Sequence, residues 1–110
     1  MVAEKIWQHK NVEIEEGLKP GSKHFQYFYV VSEGGKKKGN YCVWIVDSVL
    51  SRFEPSGDFV SIASSQRETW NKWVKSKIDE GDFRNKALRF GPDGEKEIEL
   101  SEMSERLSVE

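Results

Sequence analysis

The stretch FQYFYVV (residues 25–31), the connection SEGGKKKGN (32–40) and the run YCVWIV (41–46) decide how this chain folds. Both runs are dense in aromatic and β-branched side chains, which fit a pleated, half-buried surface. Side chains along a strand alternate between faces. Phe25, Tyr27, Tyr29 and Val31 therefore share one face, and Gln26, Phe28 and Val30 the other. Apolar residues fall on both faces of both runs, which places them in the middle of a sheet. The connection carries Gly34, Gly35 and Gly39 around Lys36, Lys37 and Lys38, and its composition predicts a mobile loop longer than a tight hairpin.

Upstream, Val12 and Ile14 alternate with Glu13 and Glu15, the period of a half-buried strand. Ile6 and Trp7 precede it, either opening that strand or packing separately. Downstream, residues 47–53 read as one helical turn or a continued strand, and 59–63 (FVSIA) as a short strand. The clearest helix follows. Ser65 and Glu68 have capping-box spacing, and Trp70, Trp73, Val74 and Ile78 recur at three- and four-residue steps along one stripe. Lys72, Lys75 and Arg67 fall away from that stripe, and Gly81 suits a C-terminal cap. Leu88 and Phe90, then Ile98 and Leu100, flank the turn sequence 91–94 as a hairpin. Ser101 then opens a short helix with Met103 and Leu107. The predicted architecture is a single α+β domain over residues 1–110. It has a mainly antiparallel sheet of five to six strands, an amphipathic helix over about 66–80 on one face, and a short C-terminal helix. The acidic segment 93–110 lies at its periphery.

A chain of 110 residues fits one core. Apolar residues make up 36% and charged residues 33%, yet an aromatic share of 12% argues against disorder. No apolar run approaches the ~20 residues that span a bilayer, and residues 1–5 have no apolar stretch behind them to form a signal peptide. Cys42 is the one cysteine, so no intrachain disulfide forms. Together these point to a cytoplasmic protein without a membrane partner. Net charge is -2. Residues 1–18 carry net -2, residues 19–92 net +5, and residues 93–110 net -5. A basic body with an acidic end can hold an anion or pair with a second copy.

The chemistry of sites is thin. Nucleophilic catalysis needs a nucleophile, a base and an orienting group; the histidines are His9 and His24, and Cys42 sits in an apolar run as a small hydrophobe. The two histidines and lone cysteine lack zinc-ligand spacing. Glu13, Glu15 and Glu16, or Glu95, Glu97 and Glu99, could gather on one face, but outer strands usually turn such residues to solvent. The 34–39 segment lacks the Lys-Ser/Thr and following helix of a phosphate loop. No catalytic residue, cofactor or metal ligand is assigned, and the reading leans away from an enzyme.

The expected function is a small non-catalytic binding module acting through protein contacts or homodimer formation. Its surface would be an aromatic sheet face including Trp7, Tyr27, Tyr29, Tyr41 and Trp44, with one helix covering only one side. The alternative is nucleic-acid binding, with aromatics stacking bases beside Lys36, Lys37, Lys38, Lys72 and Lys75. A third reading is a small-molecule site or enzyme subunit, with a pocket lined by Trp44, Tyr29 and His24.

Overall fold

The computed structural model describes residues 5–20 and 24–102, and the two aromatic runs occupy the centre of its sheet. Strands β1 (Lys5–His9), β2 (Val12–Pro20), β3 (His24–Glu33), β4 (Lys36–Val46), β5 (Lys86–Gly91) and β6 (Gly94–Glu99) lie side by side in sequence order. β1 to β4 form an antiparallel meander, β4 and β5 run parallel, and β5 and β6 close as an antiparallel hairpin. A parallel step requires a crossover. Here it comprises a 3-10 turn over Asp47–Arg52 and helix α1, Phe59–Asp79. A mainly antiparallel six-stranded sheet with one principal helix on one face is the architecture expected.

Several local expectations are corrected. Residues 59–63 are the first turns of α1, not a strand. Asp58 caps the helix by accepting from the backbone N–H of Ser61 at 3.0 Å, so Ser65 and Glu68 lie inside the helix instead of capping it. Ile62 and Ala63 are buried on the same stripe as Trp70, Val74 and Ile78, and this packing overrides the β preference of FVSIA. At the other end Gly81, at φ 75°, takes the left-handed cap. Its N–H donates to the Ile78 carbonyl and the Asp82 N–H to that of Lys77, satisfying carbonyls at the helix end. Leu100 lies past β6 in a 3-10 turn over Leu100–Glu102 that also contains Ser101, and the rest of the expected C-terminal helix, with Met103 and Leu107, lies outside the described residues.

The 32–40 connection is not a long loop. Gly34 and Gly35, at φ 59° and 82°, make the turn alone, with Glu33 paired to Lys36. Two successive left-handed residues supply the twist that closes a two-residue hairpin. The three lysines are therefore strand residues. Pairing shifts between Val31–Gly39 and Ser32–Lys37, leaving Lys38 as the extra residue of a bulge. Gly39 is needed for close approach: a Cβ there would sit 2.5 Å from the Phe83 carbonyl oxygen. The β1–β2 hairpin turns in the same way through Lys10 and Asn11.

The sheet buries both faces. On one, Phe25, Tyr29, Tyr41, Val43 and Ile45 are fully buried with Trp70 and Val74 of α1. The Trp70 ring centroid lies 5.5 Å from Tyr27 and 6.1 Å from Phe25, and Phe59 stacks on Phe25 at 5.2 Å. On the other, Phe28, Cys42 and Ala87 are fully buried with Val30 and Leu100, and Trp44 and Ile98 pack against them. Among the described residues, no helix is long and apolar enough to cross a membrane.

Candidate functional site

The period of two that puts Val12 and Ile14 on the helix face carries on to Glu16, which is 1% exposed. A buried carboxylate must be paired or hydrogen-bonded to persist. Glu16 is both. Its Oε1 accepts from the Tyr27 hydroxyl at 2.9 Å and from Arg67 Nε, and its Oε2 accepts from Trp7 Nε1. Three elements meet on one side chain: Trp7 from edge strand β1, Tyr27 from β3 and Arg67 from α1. Lys75 lies 5.1 Å above the Trp7 ring, and His9 reaches Asp79 at 2.8 Å. β1 is thus fastened to the helix along its length, and a half-buried tryptophan is held beside an exposed lysine.

The helix lies over the tyrosine side of the sheet. Tyr29 donates to Asn71 Oδ1 at 2.8 Å, and Tyr41 donates to the Asp82 carbonyl. Burial, reinforced by the charge of Glu16, pushes Tyr27 up to about 12. Burial pushes Tyr29 and Tyr41 higher still. Tyrosines of the unfolded chain ionise near pH ~10. Above that pH the folded chain holds more protons than the unfolded one, so tyrosine burial costs no stability below pH ~10 and stability falls as pH rises toward 12. The expected result of a spectrophotometric titration is no tyrosinate absorbance at pH ~10–11 while the fold persists. Ionisation near pH ~10 in native protein would contradict this burial.

The candidate residues separate into groups. Trp7, Tyr27 and Lys75 come together through Glu16 and the helix, with Lys72 one turn before Lys75. Tyr27, Tyr29 and Tyr41 are 7%, 0% and 0% exposed, so the expected exposed aromatic face is instead core beneath α1. Trp44 is half-buried on the opposite face, with Arg89 5.6 Å from its ring. Tyr29 and Trp44 therefore cannot line one pocket, and the His24 side chain lies outside the described residues. Lys36, Lys37 and Lys38 sit at the tip of the β3–β4 hairpin. β4 lies three strand spacings from β1, about 14 Å, so these lysines form a group apart from the one beside Trp7. Lys38 pairs with Glu33 at 3.5 Å and helps line a cavity of about 330 Å³ with Arg84, Asn85 and Glu99. Glu13 and Glu15 face away from Glu16, so the three do not converge. Glu97 is held by Lys77 at 2.7 Å and Lys86 at 2.9 Å. Cys42 is fully buried, and burial pushes its thiol up to about 12.

The two sheet edges differ. β6 reads GEKEIE, with Glu95, Lys96 and Glu97 exposed, a charged edge of the kind that discourages further strand pairing. β1 carries Ile6, 68% exposed; the other exposed large apolar side chain among the described residues, Val60, belongs to the helix. Sequence reasoning grouped Glu16 with Glu13 and Glu15 and set Arg67 away from the helix stripe, so it missed their pairing, and it did not single out Ile6. The inward Glu16 was signalled by its two-residue step from Ile14. Arg67 carried no such signal, because its partner comes from a strand 51 positions away. No protein-family model, curated protein or solved structure matches this chain.

Proposed function

We propose that this chain is a non-catalytic binding module acting through protein contacts, and that an extended partner segment joins the sheet as a strand beside β1. The observation that supports this is the contrast between edges: β6 is guarded by charge, whereas β1 offers Ile6 beside a fastened Trp7. An open edge presents unpaired backbone N–H and C=O groups that an incoming strand can bond, while side-chain neighbours supply specificity. The ties from Trp7 and His9 to the helix side matter because a strand already ordered has less entropy left to lose on binding. A buried, unreactive Cys42 suits a cytoplasmic setting for such a module.

A library of displayed random peptides selected on the wild-type chain tests the reading. Selected peptides are expected to shift the amide resonances of residues 5–9 and to lose binding to Ile6→Lys, which places a charge on the edge without disturbing buried groups. Peptides that shift residues elsewhere and bind Ile6→Lys unchanged would overturn it.

A further inference from the structure

The two sides of β1 differ chemically, and an added strand must meet both. On the helix side stand Trp7 and His9, with Lys75 over the Trp7 ring and Lys72 one turn earlier. Arg67 is neutralised by Glu16 and Asp79 by Lys10 at 3.4 Å, with His9 hydrogen-bonded to the same carboxylate at 2.8 Å. Glu68, exposed one turn before Lys72, offsets one of the two remaining lysines, so the wall keeps an excess of positive charge centred on Lys75 beside Trp7. On the other side stand Ile6 and Gln8, whose cross-strand partners are Glu15 and Glu13. That side is apolar at Ile6 and acidic one strand further in.

A strand laid against β1 alternates its side chains between these walls. Resting on the docking reading above, we infer that the partner segment alternates acidic and apolar residues. Its carboxylates lie on the helix side near Lys75 and Lys72, and its apolar side chains lie beside Ile6. Lysines in the same positions would meet Lys75 and Lys72 as like charges. An antiparallel pairing of β1 with β1 of a second copy, about a two-fold axis perpendicular to the sheet, would set one lysine-bearing wall against its duplicate. The charge layout thus favours a different, acidic chain over self-association in that mode.

The test uses short blocked peptides alternating glutamate with valine or lysine with valine, titrated into labelled full-length chain. The glutamate peptide is expected to shift the amides of residues 5–9 and the Trp7 indole N–H, and to weaken as salt is raised. The lysine peptide is expected to bind about tenfold more weakly. Lys75→Glu, an exposed position, should narrow or reverse that ratio. Equal binding of both peptides at β1 would overturn the acidic preference and leave the edge reading standing. Shifts confined to other strands, or none with either peptide, would overturn both. Linewidths that broaden with protein concentration alone and are relieved by Ile6→Lys would replace the acidic partner with a second copy.

Discussion

Trp70→Ala lowers the unfolding free energy by about 3–5 kcal/mol, the range for removing a large buried aromatic side chain from a core that cannot fully collapse. The indole is 1% exposed and lies within 6.1 Å of Phe25 and 5.5 Å of Tyr27, both on the central strand of the meander. Its neighbours are constrained. Phe25 is stacked on Phe59, and the Tyr27 hydroxyl is tied to Glu16. Neither can swing into the vacated space without breaking another contact, so a cavity remains. Domains of this size have about 5–15 kcal/mol of stability, so the loss is a large fraction of the total. Urea denaturation should show a lower midpoint at an unchanged slope. Trp73 is half-buried, edge-on to Tyr41, and Trp73→Ala should cost less. Equal losses at the two positions would contradict the assignment of Trp70 as the pin between helix and sheet.

Glu16→Ala has the second large effect. Removing one partner of a buried ion pair costs about 3–5 kcal/mol, because the remaining charge and donors lose their acceptor. The Arg67 side chain is 36% exposed and can turn to water, which holds the expected loss near the lower end, about 3 kcal/mol. Glu16→Gln keeps an acceptor of nearly the same shape and should cost only about 1–2 kcal/mol. Both are measured by urea denaturation. The alanine variant should also speed amide exchange across residues 5–9, because Trp7 loses its acceptor. A loss under about 1 kcal/mol for Glu16→Ala would show that the bonds converging on Glu16 contribute little.

The elements that the sequence made legible are those whose side-chain period agrees with their packing. The FQYFYVV and YCVWIV strands are apolar on both faces and buried on both, the turn residues 91–94 close the β5–β6 hairpin, and the Trp70–Val74–Ile78 stripe is buried at helical period. The first turns of α1 were misread because Phe59, Val60 and Ile62 are strand formers by local preference, yet Ile62 continues the helical stripe eight residues before Trp70. The lysine-rich connection was misread because three glycines looked like one loop. Two make a tight turn, and the third lets the Phe83 backbone approach. The parallel β4–β5 pairing was not read from the sequence, because local pattern gives no strand direction; the crossover through α1 sets it.

The candidate site was less legible for a physical reason. Tyr27, Tyr29 and Tyr41 do share a face, but a strand pattern with apolar residues on both sides does not say which side a helix covers. Trp7 and Lys75 were each visible in the sequence, yet their stacking depends on β1 lying beside α1. Among the described residues β1 ends the sheet, and that edge position of Ile6 follows only from strand order.

Hydrogen exchange of residues 5–9, measured with and without a library-selected peptide, tests the docking edge most directly. Strand addition at β1 predicts that outward-facing amides of β1 exchange quickly in the free chain and become protected on binding, while those of β6 do not change. Protection gained in β6, or at Lys36–Val46, with β1 unaltered would contradict it.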